Sequence, residues 1–520
     1  MDKRHNILFA LFVICMLVLG SAASAVAGKN NDNNWNYDDD YKNSGQYNSN
    51  QNSEKKIKNI IVMVPDGCDQ SVQTLARWYS GEDLQLDSMV SGMVKTYMAD
   101  SIITDSASAA TAFSTGYKTS NGFLSVGPEY DTLLSTIDES EVAEQYVPLA
   151  TVLEGAKLEG KATGLVATSE IPHATPAAFA SHVDSRKSYD DIIEQMVYED
   201  VDVVLAGGED YLYEARGDGE NLIDVLQSRN YQFITTSSEL EKLEYGKVWG
   251  MFAGAAMSPE MSRVDEKPTI AEMTTKAIDL LSEDQDGFFL MVEGSQVDWA
   301  GHANDPVYMV TDFLAFDEAV KAAVDFAEED GHTLVIVFPD HNTGGMTIGN
   351  RETSYTDLTV EELIDPLVAE DSDNEIGWTT GGHTGGDVPL WSYGPDRPIG
   401  LFDNTELATY VADEFGFVLD DVSDKLFVDV EEAFPGMWEL DTTDAKNPVL
   451  VITYEDKVAE LPVNKDIMTI GSGDEIELNG VVVYAPKADD GNGKVFIPQE
   501  AVDILKSKNN KWLINGKFKR

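Results

Sequence analysis

Past residue 57 the chain alternates short, almost continuous apolar runs with stretches of helical length. The runs at 60–64, 162–167, 201–206, 288–292, 333–338 and 388–393 are rich in Val, Ile, Leu and Phe. Runs without polar alternation are the mark of strands buried on both faces. Between two of them, 268–281 carries Ile270, Met273, Ala277, Leu280 and Leu281 at helical spacing. Such alternation predicts an α/β fold, with a large central, mainly parallel sheet flanked by helices on both faces. Beyond about residue 445 the texture changes. Short strand-like runs at 449–453, 467–470, 476–477, 480–484 and 494–497 are separated by Gly, Asp and Asn turns. They predict a small C-terminal β-rich module over 446–520, an extension of the main sheet being the alternative. There is no internal repeat.

The first 27 residues read differently. A basic start (Lys3, Arg4) precedes an apolar run over 7–19 and then Ala-Ser-Ala-Val-Ala at 23–27. This is the layout of a secretory signal peptide cut after Ala25 or Ala27. A retained anchor is the alternative, although the run is short for a membrane span. Residues 28–56 are Asn, Asp, Ser, Gln and Tyr with almost no aliphatic side chains, a disordered polar spacer by composition. A main body over 57–440 follows. Cys15 leaves with the signal, so the mature chain keeps Cys68 alone and forms no internal disulfide. The expected destination is extracellular or cell-surface, or periplasmic where an outer membrane exists.

Charge narrows the partners. With 36 basic and 92 acidic residues the chain carries −56. That field repels nucleic acid and anionic membranes, which excludes both as partners. It repels a phosphate ester too, so an anionic substrate requires local positive charge, such as a metal ion supplies. Plain solubility is one reading of the acidity. Adaptation to high salt, where screening relieves self-repulsion, is the other.

Of only seven histidines, three fall within acidic segments: Glu-Gly-Ser-Gln-Val-Asp-Trp-Ala-Gly-His at 293–302, Pro-Asp-His at 339–341 and Gly-Gly-His at 381–383. Imidazole with carboxylate is the ligand set that zinc favours. Asp66, Glu293 and Asp340 each follow directly on an apolar run. Sites in open α/β sheets lie at the carboxyl ends of strands, so three strand ends would bring these carboxylates to one crevice. Ser106 opens an Ala/Ser-rich stretch with helical propensity. Beside such a metal pair its hydroxyl can become a nucleophile at neutral pH. Taken alone, a serine there is a helix N-cap.

These motifs, in this order, resemble the alkaline phosphatase family. The resemblance runs from about residue 60 to 434. It rests on Asp66-Gly, Thr-Asp-Ser-Ala-Ser-Ala-Ala-Thr-Ala-Phe-Ser-Thr-Gly at 104–116, Ala-Thr-Pro-Ala-Ala at 174–178, Ser-Arg-Lys at 185–187, Val-Glu-Gly-Ser-Gln-Val-Asp at 292–298, Asp340-His and Gly-His-Thr-Gly at 382–385. It implies Ser106 as nucleophile, a phosphoserine intermediate, and Arg186 gripping the phosphoryl oxygens. It implies a first zinc held by Asp298, His302 and His383, and a second by Asp66, Asp340 and His341 that also contacts Ser106. A third site, magnesium in many relatives, would use Asp66, Thr175 and Glu293. Two positions depart from the form with Asp and Lys near the site: His173 and Trp299. The imidazole could admit zinc or cobalt to the third site or hold a water there, and Trp299 would pack or line the pocket. Asp105 is expected beside the substrate pocket.

The implied activity is hydrolysis of small phosphate monoesters. A phosphodiesterase or sulfatase of the same superfamily is the nearest rival, and a secreted surface-binding protein the rival of another class. The resemblance also implies a homodimer, and the C-terminal module suggests cell-surface attachment. His182 and His332 are expected at the surface or in caps. Lys118 is expected to be structural, and Cys68 a small buried hydrophobe.

Overall fold

The structure, a computed structural model, describes residues 57–264, 266–348 and 376–507. The expected signal peptide (1–27) and spacer (28–56) lie outside the described residues. At the centre is a 10-stranded sheet. Its strands include β1 (Asn59–Val64), β2 (Val90–Lys95), β3 (Ala162–Glu170), β4 (Val203–Gly207), β5 (Gln232–Ile234), β6 (Val248–Met251), β7 (Phe288–Glu293) and β8 (Thr333–Val337). From one edge the order is Gly400–Asp403, β2, Val388–Tyr393, β8, β1, β7, β3, β4, β6, β5. All neighbours are parallel except Val388–Tyr393, which runs antiparallel to both β2 and β8.

The continuous apolar runs have the expected cause. Along β1, Ile60, Val62 and Val64 enter one hydrophobic cluster while Ile61 and Met63 enter another on the opposite face. The Ile270–Leu281 helix starts at a capping box of Thr269 and Glu272, leaving Pro268 outside it. It packs on the second face beside the 25-residue helix Pro306–Asp330, which the apolar pattern did not predict.

The C-terminal region forms small antiparallel sheets, as expected. One has five strands: Trp438–Asp441, Val449–Tyr454, Lys457–Pro462, Ile467–Ile470 and Ile476–Glu477. The other joins Val428–Asp429, Lys494–Ile497 and Val483–Ala485. They enclose their own core, with Leu450, Ile452, Leu461 and Met468 at its centre. A polar seam ties this region to the main body. Buried Asn464 accepts from Gln195 Nε2 at 2.9 Å and donates to Asp191 at 3.0 Å and Glu194 at 3.2 Å. Arg229 pairs with Asp466 through both terminal nitrogens, and Lys465 reaches both oxygens of Glu220.

His182 is not at the surface. It is buried at 2 % exposure, with Nε2 at 3.0 Å from Glu154 and Nδ1 at 3.1 Å from the carbonyl of Ser125. Its ring meets Phe427 edge-on. Burial disfavours the proton, but the Glu154 carboxylate and the Ser125 carbonyl outweigh it and raise the imidazole pKa. His332, by contrast, is exposed. Lys118 is structural: its ammonium bonds the carbonyl of Tyr97 and pairs with Asp403 at 2.6 Å. Cys68 is fully buried among apolar neighbours.

Two outcomes are expected. Asn464→Leu strands buried partners on Gln195, Asp191 and Glu194, and should cost about 1–3 kcal/mol in urea unfolding; an unchanged midpoint would mean the seam contributes nothing. The His182–Glu154 pair stabilises fully below the unfolded-state imidazole value of 6.5 and loses its contribution as pH rises through the raised folded value. Thermal midpoints of His182→Gln should therefore fall less than those of the unchanged protein between mildly acidic and alkaline pH.

Candidate metal and phosphate site

The three central strands end side by side. In register, Val64 lies opposite Glu293, and Met63 opposite Val337, so β8, β1 and β7 deliver Asp340, Asp66 and Glu293 to one end of the sheet. After β1 the chain turns at Gly67, whose φ is +73°. A Cβ there would stand 2.8 Å from the Asp298 backbone, and its N–H donates to Asp340 Oδ1 at 3.1 Å. The position needs glycine both for its left-handed backbone and for the close approach. After β7 the helix Gln296–Ala303 carries Asp298 and His302 four residues apart, on one face. His383 arrives on the short strand His383–Thr384, which pairs antiparallel with Asn342–Thr343.

Three groups of ligand atoms result, each within 4.8 Å: Asp298, His302 and His383; Asp66, Asp340 and His341; and Asp66, His173 and Glu293. His302 Nε2 and His383 Nε2 lie 3.3 Å apart, at 3.3 and 3.6 Å from the two oxygens of Asp298. The outer nitrogens are tied back: His302 Nδ1 donates to the carbonyl of Gly381 at 2.8 Å, and His383 Nδ1 to that of Thr104 at 2.7 Å. With both rings neutral the two Nε2 lone pairs face each other beside Asp298, and either a proton on His302 Nε2, bonded to Asp298, or a cation between the rings relieves the repulsion. His341 Nε2 stands 3.1 Å from Asp340 Oδ2 and 3.7 Å from Asp66 Oδ1, and its ring stacks on His383 at 3.6 Å.

The donor set is deeply buried. Asp66, Asp340, His341, Glu293 and Thr175 are all at 1 % exposure or less. Among the described residues, both oxygens of Asp66, Asp340 Oδ2, Glu293 Oε1 and Thr175 Oγ1 make no hydrogen bond. Burial, then repulsion from Asp340, Asp298 and Glu293, pushes the Asp66 carboxyl well above the usual range. Burial also lifts Glu293 to about 7, against a hydrogen bond from Ser295, and lowers His341 to about 4. For Asp298, burial is outweighed by the hydrogen bond from His302 and the charges of His341, His302 and His383, and its pKa falls. His302, bonded to Asp298, rises to about 9. Several carboxylates buried without counter-charge, with bare imidazole nitrogens between them, fit divalent cations.

The nucleophile candidate lies alongside. Asp105, not Ser106, is the N-cap of the helix Ser106–Thr115; its carboxylate accepts from Ser108 N at 3.0 Å and Ser108 Oγ at 2.8 Å. The cap reading of Ser106 therefore fails. Its buried hydroxyl instead lies 3.2 Å from His341 Nε2, at the positive end of the helix dipole. The other Asp105 oxygen accepts from Arg186 Nη1 at 2.9 Å, and Arg186 Nη2 lies 3.1 Å from His173 Nε2. That grip leaves one further N–H on each terminal nitrogen of the guanidinium. Burial and the Arg186 charge lower the His173 pKa to about 3, and Trp299 meets the His173 ring edge-on at 5.7 Å.

All thirteen residues singled out in the sequence thus gather around one end of the sheet. Sequence reasoning missed Gly67, Thr343 and the carbonyls of Thr104 and Gly381, whose roles are backbone geometry and hydrogen bonding. A fourth acidic group, Glu194, Asp218 and Glu220, is neutralised by Arg216 and Lys465.

Known proteins resemble this chain in sequence and fold. The family model described as alkaline phosphatase matches residues 57–366. Alkaline phosphatase 3 of Bacillus subtilis is 37 % identical over 430 residues, covering 69 % of this chain and 89 % of its own. The cold-active alkaline phosphatase of Shewanella sp. superposes with a TM-score of 0.59 at 30 % identity, covering 69 % of this chain and 99 % of its own. A His-to-Glu mutant of the alkaline phosphatase of the Antarctic bacterium TAB5, with Mg bound in its M3 site, gives 0.59 at 31 % identity, covering 70 % and 100 %. By sequence, fold and family model together, this chain belongs to the alkaline phosphatase family, enzymes that hydrolyse phosphate monoesters.

Proposed function

We propose that the chain hydrolyses small phosphate monoesters through a phosphoserine formed on Ser106. The observation that carries this reading is the Ser106 hydroxyl, freed from capping by Asp105, buried at a helix N-terminus beside His341. Asp298, His302 and His383 would hold one zinc, and Asp66, Asp340 and His341 a second. Bound there, the pair supplies positive charge and Lewis acidity where negative charge develops. Ser106 Oγ forms a bond to phosphorus as the ester P–O bond breaks, and the alcohol leaves with a proton. Arg186, braced by Asp105, offers its remaining N–H groups to two non-bridging oxygens. Helix N–H groups of the Ser106–Thr115 segment stabilise the attacking oxygen. Water then adds to phosphorus, the Ser106–phosphorus bond breaks, and inorganic phosphate departs.

The third site suits magnesium. Asp66, Glu293 and Thr175 offer oxygen donors, and two of their buried side chains belong to one ligand group. His173, the third member of that group by distance, would nevertheless stay outside the ligand shell. Arg186 Nη2 can only donate to His173 Nε2, which places the imidazole proton on Nδ1. An Nδ1–H donates and does not ligate, so zinc or cobalt gains nothing from this imidazole. An exported enzyme fits the basic-apolar leader. Among the described residues no helix is long and apolar enough to cross a membrane.

Metal analysis of the purified protein should return two zinc and one magnesium per chain. Ser106→Ala should lower kcat on 4-nitrophenyl phosphate by about three orders of magnitude or more, and acid quench of the unchanged enzyme should trap phosphate on Ser106. A Ser106→Ala enzyme with most of its activity would sink the covalent route. Faster turnover of a phosphodiester or sulfate ester than of the monoester would favour the rival hydrolases. Arg186→Lys replaces a two-pronged grip with a point charge and should weaken inhibition by inorganic phosphate roughly tenfold.

A further inference from the structure

Thr343, which holds none of the expected metal or substrate positions, lies between the two ligand groups assigned to zinc. Its side chain is buried at 1 % exposure. Thr343 Oγ1 lies 2.5 Å from Asp298 Oδ1, in the first ligand group, and 3.2 Å from His341 Nδ1, in the second. Its backbone N–H donates to the carbonyl of Gly67 at 2.9 Å, one residue from Asp66. Gly301, next to His302, leaves room for it: a Cβ at Gly301 would stand 3.0 Å from the Thr343 side chain. In the short two-stranded ladder it faces His383 directly. One side chain therefore adjoins the segments that carry five of the six ligands assigned to the zinc pair, and Asp340 lies three residues before it.

A hydroxyl has a single proton, and the neighbours decide where it goes. Asp298 is an ionised carboxylate and only accepts, so the short contact requires the Thr343 proton between them. Toward His341 the same oxygen can then only accept, which requires a proton on Nδ1. Nε2 is left bare, facing Ser106, Asp340 and Asp66. We propose that Thr343 is a positioning residue that fixes the His341 tautomer and joins both zinc ligand groups into one unit. This rests on the two-zinc reading above. Without the hydroxyl, His341 Nδ1–H and Asp298 Oδ1 each lose a buried partner, and the His341 ring and the Asp298 carboxylate regain freedom to turn. Outer partners of metal ligands typically matter by about 10- to 100-fold in affinity.

The test uses the full chain, with zinc alone as the probe. Zinc affinity is measured by competition with a chromophoric chelator for the unchanged protein, Thr343→Val and Thr343→Ser. Thr343→Val keeps the shape and should bind zinc about 10- to 100-fold more weakly; Thr343→Ser keeps the oxygen and should restore most of the loss. Zinc binding by Thr343→Val equal to that of the unchanged protein would overturn the proposal alone. An unchanged protein that binds no zinc would overturn the two-metal reading, and this proposal with it. Nitrogen-15 NMR of the zinc-free unchanged protein, with the His341 signal assigned by its loss in His341→Gln, needs no Thr343 variant to fold. A proton on Nδ1 supports the assignment, and a proton on Nε2 overturns it.

Discussion

Four carboxylates brought together in the interior set the constraint that the rest of this structure answers. Asp66, Glu293, Asp298 and Asp340 gather at the ends of β8, β1 and β7 and at the helix behind them, almost wholly out of water. An isolated buried carboxylate either finds a counter-charge or takes up a proton. The protein supplies few cations here. Arg186 is engaged by Asp105, and the three histidines of the zinc groups turn nitrogens inward. The unmet demand for positive charge is the physical content of the site. Cations held there would also reconcile a chain of −56 with an anionic substrate, because the attraction would be local and inside the fold.

The scaffold resists that repulsion by over-determining each side chain. β1, β7 and β8 are parallel neighbours packed on both faces, so their ends cannot splay independently. The helix Ser106–Thr115 is closed at its start by Asp105 and at its end by Gly116 in the left-handed region. One carboxylate, on Asp105, thus caps the helix that presents Ser106 and steadies Arg186. The proposed nucleophile and the proposed phosphate grip thus share a common anchor.

Much of the fold was legible because strands buried on both faces cannot alternate. The runs at 60–64 and 288–292 stand out for that reason, and they bear the site. Other members of the same sheet were hidden by close packing. In β2, a Cβ on Gly92 would come 1.8 Å from the carbonyl of Gly400, and in β6 one on Gly250 would meet Leu205 at 2.7 Å. The glycines that let these strands approach their neighbours also break the apolar pattern. Helix Pro306–Asp330 was hidden by charge: Asp312 and Asp317 sit on its buried side, accepting backbone N–H groups from Glu260, and from Gln85 and Leu86. His182 misled for a similar reason, since its partner Glu154 is 28 residues away in the chain. The site residues were legible as ordered motifs. The cap at Asp105 in place of Ser106, and the contacts of Thr343, depend on what the folded chain brings alongside.

Asp66 belongs to two of the ligand groups at once. A carboxylate common to two basins makes their filling interdependent. A cation that settles against Asp340 and His341 draws off charge that its neighbour against Glu293 would otherwise have met. It also orients the oxygen that the neighbour must use. Uptake of two cations there would therefore be linked, with a coupling free energy of its own, and the occupancy of either basin would carry information about the other.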